Sequence, residues 1–408
     1  MFVTSNKLKK YVYENSDLIA ILGIGTLLRL KDITKFEFWY DEAFTGLMSK
    51  IPREEFVATL KRDVHPPLFL LLIRGWSTIF GSTDMSLRFL PLLFGVATLI
   101  LLFKVTQGLF GKRAAVITLL LASVSPFLIQ YSYEARSYSM FAFFVLLSFY
   151  LATLKKPTFF FLSLLILVNI HFMSMLFLPG LLLTYAYFNY FPPKDNLRKQ
   201  IFTDILGLTI LSITILMFER FFLQQTTVHT IEWARNSSFE SIPRSFTAYL
   251  FGVKSKLTGS DALLDYKLPI GIQPLGYIAF VAFLIETFLH FRQLQKGKRL
   301  RNLIILTNLL LPQILLISFG LLTKKNLYVE RYLLPASLFL FIFLGVLFVE
   351  NAKFETMAVY VVVYIFILSF QKTPDYYQGM KSLKKELRYI PGEIVFTKPI
   401  NFVIGKYY

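Results

Sequence analysis

Three carboxylates and a histidine lie shortly after the first apolar segment of the chain. FWYDEAF contains Asp41 and Glu42, and DVHPP contains Asp63 and His65. A carboxylate that leaves a membrane span beside aromatic residues is partly desolvated, which raises its pKa and lets it accept a proton or bind a cation. The alternative is that Asp41 only caps a helix beginning at Glu42. The prolines after His65 favour an extended backbone, which would hold the second pair in place.

Basic residues form two further groups. YSYEARSY contains Arg136 beside Glu134, and TKKNLYVERYLLP contains Lys324, Lys325 and Arg331. An arginine at a membrane boundary can simply reach headgroups or pair with a nearby acid. Its planar guanidinium also matches a phosphate. Two such groups on the membrane face that carries the carboxylates predict a site for an anionic headgroup.

Membrane-spanning helices are the elements that must position these residues. Of the 408 residues, 55% are hydrophobic, and the mean hydropathy of +0.57 is above what a soluble surface tolerates. The chain is therefore predicted to be an all-α polytopic membrane protein with about eleven spans. The predicted spans are 17–30, 87–106, 113–131, 137–154, 157–170, 172–190, 201–223, 271–290, 302–322, 332–349 and 354–370.

The distribution of charge predicts which loops face the cytoplasm. Lys and Arg number 43 against 25 Asp and Glu, a net charge of +18. Positive residues cluster in alternate loops, of which the block from Arg292 to Arg301 is the strongest. Counting the apolar run 67–80 as a span would place that block outside, so this run is predicted to be an interfacial helix. The N-terminus is then cytoplasmic, and the C-terminus is outside.

This topology divides the chain into a membrane module, 1–371, and a small external tail, 372–408. External loops are predicted at 31–86 and 224–270. The first loop carries the carboxylates, and short helices are expected near Arg53 to Lys61 and after Pro66 and Pro67. The candidate site is therefore extracytoplasmic, in a multi-pass protein of the plasma or inner membrane.

Composition excludes several classes of site. Cysteine is absent, so disulfides, thiolate metal sites and thiol nucleophiles are excluded. With four histidines in the chain, a metal site must rely mostly on carboxylates. His171 is interpreted as a packing residue or a headgroup hydrogen bond rather than a metal ligand. Nucleic acid is a poor partner, because no basic domain stands apart from the apolar spans.

The order of five motifs resembles bacterial membrane glycosyltransferases of the GT-C superfamily. They are FWYDEAF, DVHPPLFLLLIRGW, GSTDMSLRFLPLLFG, LFGKRAAVITLLLASVSPFLIQYSYEARSYSM and VERYLLP. The likeness is to the family 39 group, related to protein O-mannosyltransferases and to the aminoarabinose transferase that modifies lipid A. It runs from about residue 17 to 350. Such enzymes transfer a sugar, with inversion, from a polyprenyl-phosphate carrier to an external acceptor.

The resemblance implies roles for individual residues. Asp41 stands at the position of the catalytic acidic residue of the first loop, and Glu42 completes its Asp-Glu pair. Asp63 and His65 are implied to belong to the same site, Asp63 as a further catalytic residue. Arg136 and Arg331 are implied to lie near the donor phosphate, and Lys324 and Lys325 are grouped with them. The acceptor, whether lipid, glycan or protein, does not transfer from the resemblance.

Two questions stay open from the residues alone. Asp41 acts either as a plain base for the acceptor hydroxyl or, with Asp63 and His65, as a ligand of Mn²⁺ or Mg²⁺. A transporter or flippase of lipid-linked sugars is the alternative function, and it predicts ionisable residues in the middle of spans. A polymerase of such sugars is closer in chemistry.

Overall fold

The structure, a computed structural model, describes residues 16–35, 37–63, 65–191, 197–228, 238–252, 265–266, 273–324, 328–350 and 371–372. Within these ranges the chain is almost entirely helical. The first helices are α1 (Ser16–Leu30), α2 (Tyr40–Met48), α3 (Arg53–Leu60), α4 (Leu68–Phe80), α5 (Asp84–Phe110), α6 (Lys112–Val124), α7 (Pro126–Tyr133), α8 (Tyr138–Thr153), α9 (Pro157–Val168) and α10 (Ser174–Tyr190). The later ones are α11 (Leu197–Val228), α12 (Ser241–Phe251), α13 (Gln273–Gln293), α14 (Lys296–Thr323), a 3-10 helix (Glu330–Leu333) and α15 (Leu334–Glu350).

The described residues agree with the predicted all-α class, and the extended pairing among them is limited to two strands of two residues each. β1 (Asp265–Tyr266) pairs antiparallel with β2 (Gln371–Lys372). The pairing joins the predicted loop 224–270 to the start of the predicted tail. The remainder of that tail and the span predicted at 354–370 lie outside the described residues.

The long apolar helices confirm a membrane protein. Among the described residues, four helical stretches are long and apolar enough to cross a bilayer: Asp84–Phe110, Gln200–Met217, Lys296–Thr323 and Glu330–Glu350. A bent pair, Lys112–Val124 with Pro126–Tyr133, raises the number to five if it is one span. The predicted number of about eleven is not confirmed, because several predicted spans form helices shorter than the roughly 20 residues that an upright crossing needs.

The span predicted at 113–131 is not one straight helix. The chain bends by 62° between α6 and α7. Pro126 occupies the first turn of α7, where its missing N–H costs nothing, and Ser125 caps that turn by accepting from the Leu128 N–H. The carbonyls of Ala122 and Ser123, left without helical partners, accept hydrogen bonds from Arg29 of α1 at 3.2 and 3.0 Å. The backbone carbonyls freed by the break therefore find hydrogen-bond donors inside the protein.

Two other helices, α5 and α1, approach α7 and α6 very closely. A Cβ atom added at Gly95 of α5 would collide with the side chain of Ser132, and one added at Gly25 of α1 would lie 2.8 Å from Ser123 Oγ. Glycine is needed at both positions because the backbones are nearly in contact. The turn that follows α7 is thus held by α1 and α5 together.

Helix α15 lies at the centre of the bundle. It packs against α6, α8 and α14, and all but a few of its side chains are buried. In contrast, α11 and α13 expose apolar side chains such as Ile205 and Ile278. This arrangement is typical of a bundle with inner helices shielded by outer ones that face lipid.

The short helices predicted for the first loop are confirmed. α3 covers the segment near Arg53 to Lys61, and α4 follows the two prolines. α4 buries Phe69, Leu70 and Ile73, while its Arg74 donates to the carbonyls of Met48 and Ile51 at 3.1 and 2.9 Å. These bonds hold the C-terminal end of α2 against α4, so the residues at the start of α2 have a fixed support.

Candidate active site

Glu42 lies in the first turn of α2 and is almost completely buried, with 1% of its surface exposed. Arg88 of α5 donates from Nε to Glu42 Oε1 at 2.8 Å and from Nη2 to Oε2 at 2.7 Å. The N–H of Ala135 also donates to Oε1, at 2.9 Å. Both oxygens of Glu42 are therefore engaged in holding α2, α5 and the turn after α7 together.

Asp41 occupies a different environment from its neighbour. α2 begins at Tyr40, with Trp39 at the N-cap position and no side-chain capping bond. The capping alternative for Asp41 is therefore wrong. Its side chain is 23% exposed, and its Oδ2 lies 3.8 Å from Nη2 of Arg331. Asp41 is thus the carboxylate of the pair that a substrate can reach.

The structure brings the two predicted arginines to Asp41 from opposite ends of the sequence. Arg331 is buried and lies over the rings of Trp39, Tyr138 and Tyr332 at 5.2, 5.7 and 5.6 Å. Arg136 approaches the backbone carbonyl of Asp41 and the hydroxyl of Thr45, both at a long 3.5 Å.

The side chain of Arg136 has spare hydrogen-bonding capacity. Its Nε is buried and has no hydrogen-bond partner among the described residues. A buried guanidinium with a donor to spare is suited to an anionic ligand.

Asp63 and His65 form a pair in the loop between α3 and α4. The Asp63 Oδ1 atom is 3.1 Å from His65 Nδ1 and 3.3 Å from the His65 N–H. Burial raises the pKa of Asp63, but the hydrogen bond from His65 and the charges of His65 and Arg136 outweigh it and lower the pKa below its usual range. The expectation of a raised pKa is therefore wrong for Asp63, because its cationic neighbours stabilise the ionised form.

Glu134 is a candidate that sequence reasoning treated only as a partner for Arg136. It lies in the turn between α7 and α8, is 5% exposed, and its Oε2 has no hydrogen-bond partner in the part of the chain that the structure describes. Burial raises the pKa of Glu134 to about 8, with the negative charges of Glu42 and Asp41 adding to the effect. Glu134 therefore keeps its proton near neutral pH.

A second buried ion pair supports Arg331 from the other side. Arg244 of α12 lies with its Nε 3.4 Å from Oε1 of Glu330, and its Nη2 donates to the Ser241 hydroxyl at 2.9 Å. Glu330 opens the 3-10 helix that carries Arg331. This pair fixes the short helix relative to α12, and sequence reasoning did not find it.

Of the predicted lysines, Lys324 is exposed at the C-terminal end of α14. Lys325 lies outside the described residues. Their predicted role at the donor phosphate stays a prediction.

The carboxylates and histidines do not form a metal-binding cluster in this arrangement. Across the described ranges, no group of three or more His, Asp or Glu side chains is close enough to hold an ion, and this includes Asp41, Asp63 and His65. His65 is instead engaged with Asp63, and Asp41 lies near Arg331. The geometry therefore suits a site built on guanidinium groups.

Residues that sequence reasoning missed had weak signals. Arg88 is a single cation near the start of an apolar stretch, in GSTDMSLRFLP, and Glu134 is a single acid among tyrosines. A buried carboxylate needs a counter-charge, so Glu42 itself required a partner such as Arg88. Nothing in the spacing indicated which cation would supply it.

Comparisons with known proteins give a family match for part of the chain and a shared fold. Residues 64–218 match the family model described as dolichyl-phosphate-mannose-protein mannosyltransferase. The matched segment includes His65, Arg88, Glu134 and Arg136. No curated protein is similar enough in sequence to match the chain.

Several solved structures share the fold. ArnT from Cupriavidus metallidurans in the apo state has a TM-score of 0.57 and 13% identity, over 86% of this chain and 62% of that one. ArnT from the same organism bound to undecaprenyl phosphate has a TM-score of 0.53 and 12% identity, over 87% and 64%. The Archaeoglobus fulgidus oligosaccharyltransferase in the apo form has a TM-score of 0.51 and 15% identity, over 93% and 58%.

The chain thus spans about three fifths of the length of the solved structures it matches. The predicted resemblance to membrane glycosyltransferases of the GT-C superfamily is confirmed by the family match and the shared fold.

The two adjacent carboxylates of α2 should differ sharply in their effect on stability. Replacing Glu42 by Ala leaves Arg88 buried without its counter-charge, and we expect a loss of about 3–5 kcal/mol in the free energy of unfolding. Asp41→Ala removes a longer and partly exposed contact, and we expect a loss of about 1 kcal/mol or less. Unfolding of the purified protein in detergent measures both.

The double variant Glu42→Gln with Arg88→Met removes both charges and should recover part of the loss. If Glu42→Ala were as stable as Asp41→Ala, the assignment of Glu42 as the support of the site would be incorrect.

Proposed function

We propose that this protein is a membrane glycosyltransferase that moves a sugar from a polyprenyl-phosphate carrier to an acceptor at the external face of the cell membrane, with inversion. The observation that carries the proposal is the surroundings of Asp41. A partly exposed carboxylate lies 3.8 Å from the buried guanidinium of Arg331, and a second guanidinium, that of Arg136, approaches the backbone of the same residue. The family match and the shared fold support the reaction class.

The geometry supplies what the transfer needs. An acceptor hydroxyl attacks the anomeric carbon of the sugar, the bond from that carbon to the carrier phosphate breaks, and the phosphate leaves with the electron pair. Asp41 takes the proton of the hydroxyl. Arg136 and Arg331 stabilise the negative charge that grows on the phosphate.

The other acidic residues have supporting roles in this proposal. Glu42 positions Asp41, because its own oxygens are occupied by Arg88 and Ala135. Asp63 remains an ionised carboxylate beside Arg136 and, with His65, belongs to the wall of the site. Glu134, which keeps its proton, can donate a hydrogen bond to an oxygen of the substrate.

A polyprenyl phosphate is the donor carrier that we favour. One of the similar structures, ArnT from Cupriavidus metallidurans, is bound to undecaprenyl phosphate. In this chain the two guanidinium groups provide the fork geometry that matches a phosphate. The acceptor is a glycan, lipid or protein hydroxyl.

The proposal assigns no step to a metal ion. The predicted requirement for Mn²⁺ or Mg²⁺, with Asp41, Asp63 and His65 as ligands, is tested by measuring turnover after exhaustive chelation and after the metal is added back. In the described residues Asp63 and His65 are paired with each other, and Asp41 lies near Arg331.

A transporter of lipid-linked sugars would use ionisable residues within its spans. Arg29 is such a residue, because it is 1% exposed near the end of α1. Its guanidinium is however bonded to backbone carbonyls and to Ser132 at the break between α6 and α7. We therefore interpret it as structural, and transport is the weaker candidate.

The external position of the site is open to a direct test. The chain has no cysteine, so single cysteines can be introduced without background. We expect Glu55→Cys, on α3, to react with a membrane-impermeant thiol reagent in intact cells, and Gln295→Cys, between α13 and α14, to react only after the cells are opened. The reverse pattern would place the site on the cytoplasmic side.

Asp41→Asn should abolish most of the turnover. The change keeps the shape of the side chain but removes the base, and the loss of a general base typically lowers the rate about 100- to 10,000-fold. Asp84→Asn, at the first turn of α5, is the matched control and should leave the rate unchanged. The assay is transfer from a polyprenyl-phosphate sugar by the purified protein. An Asp41→Asn variant that kept a third of the rate would exclude the base.

We expect that lysine cannot take over the function of either arginine of the site. Arg136→Lys and Arg331→Lys keep the charge but lose the two-pronged hydrogen bonding, and we expect each to lower the rate about tenfold or more. Arg53→Lys, at the exposed start of α3, is the control. Near-normal rates in both site variants would show that the arginines only reach lipid headgroups.

A further inference from the structure

His171 is completely buried in the loop between α9 and α10, with 0% of its surface exposed. Its ring stacks on those of Phe141 and Phe172, with centroids 5.0 Å away in both cases. These contacts restrict rotation of the imidazole. The orientation of its two nitrogen atoms is therefore set by the surrounding protein.

The hydrogen bonds of His171 define which nitrogen carries the proton. The backbone N–H of Met173 donates to Nδ1 at 3.2 Å, so Nδ1 is unprotonated. Burial lowers the pKa of His171 well below its usual range, and the charges of His65, Arg136 and Arg331 lower it further. The ring is consequently neutral at physiological pH, with its one hydrogen on Nε2.

Nε2 itself is buried and has no hydrogen-bond partner within the ranges that the structure describes. A buried N–H donor without an acceptor is costly, and native proteins normally supply a partner from the protein, from water or from a ligand. The Nε2–H is therefore a hydrogen-bond donor that a ligand carrying an acceptor atom could satisfy.

His171 borders the candidate active site. With Phe141 and Phe172 stacked on the ring, three other rings surround it: His65 at 5.9 Å in an edge arrangement, Tyr332 at 5.6 Å and Tyr138 at 5.8 Å. Tyr138 and Tyr332 are the same rings over which the guanidinium of Arg331 lies. His171 and Arg331 therefore share a common aromatic wall.

We propose that the Nε2–H of His171 donates a hydrogen bond to an oxygen of the bound lipid-phosphate sugar, and so acts as an uncharged positioning residue for the donor. The inference rests on the proposed function. The oxygen belongs either to the carrier phosphate or to a sugar hydroxyl, and the chemistry of the bond is the same in both cases. A neutral donor adds direction to a site whose charge is already supplied by the two arginines.

Three substitutions separate the effect of losing the Nε2–H hydrogen-bond donor from the effect of losing the packing of the ring. Gln can place an N–H near the position of Nε2, so His171→Gln keeps the proposed bond. Asn can offer an oxygen near the position of Nδ1, so His171→Asn keeps the acceptor for Met173 but loses the distal donor. His171→Phe keeps an aromatic ring for stacking and loses both. Thermal unfolding of each variant in detergent accompanies the binding measurement. If the Phe variant does not fold, the comparison of the Gln and Asn variants still shows whether the Nε2–H contributes to binding.

Equilibrium binding to the purified protein is measured with two probes, a polyprenyl phosphate without sugar and the same lipid phosphate carrying a hexose. We expect His171→Asn and His171→Phe to bind the glycosylated lipid about tenfold to a hundredfold more weakly than the wild type, and His171→Gln to stay close to the wild type. An equal loss for both probes would identify the phosphate as the acceptor. A loss confined to the glycosylated lipid would identify a sugar hydroxyl.

Unchanged binding of both probes by His171→Asn and His171→Phe would overturn the inference, since the Nε2–H would then meet only water. The proposed function fails in a different way. A wild-type protein that binds the glycosylated lipid but transfers its sugar to no acceptor would contradict the function and leave the binding comparison valid. A wild-type protein that binds neither probe would overturn both proposals.

Discussion

The ion pair between Glu42 and Arg88 is the interaction on which the rest of the site depends. Arg88 also donates to the carbonyls of Ile33 and Glu37, at 2.9 and 3.2 Å, so one guanidinium joins the segment after α1 to α2 and α5. The N–H of Ala135 adds the turn after α7. Removing either partner of such a buried pair is strongly destabilising, because it leaves an isolated charge in the protein interior. Four segments around the candidate site are therefore joined through the Glu42–Arg88 pair.

Two adjacent carboxylates do different work because successive residues of a helix point in directions about 100° apart. Glu42 faces Arg88 and the interior, and Asp41 faces Arg331 and the more open side. Glu134 keeps its proton, since burial and the nearby carboxylates raise its pKa to about 8. Two guanidinium groups lie close to Asp41, that of Arg331 near its carboxylate and that of Arg136 near its backbone carbonyl, and their planar donor groups suit a phosphate ligand.

Much of this arrangement could be predicted from the sequence, because apolar length and charge distribution report directly on a membrane bundle. The short helices of the first loop, the acidic pair at 41 and 42 and the two arginines were all found in this way. The pairing of Glu42 with Arg88 could not be, because contacts across 46 residues depend on helix packing that spacing does not encode. The same holds for the support of Arg331 by Arg244 and for the tautomer of His171.

The break between α6 and α7 shows why a charged residue inside a span need not mark a pathway. A bend of 62° frees backbone carbonyls that lipid cannot satisfy. Arg29 donates to those of Ala122 and Ser123 and also to Ser132 Oγ, so the cost of burying its charge is offset by hydrogen bonds that the bend itself created. The bend in turn directs α7 so that the turn after it reaches Glu42. The buried Arg29 is consequently required by the fold that brings Arg136 to Asp41. Its position inside an apolar helix is therefore no evidence for transport.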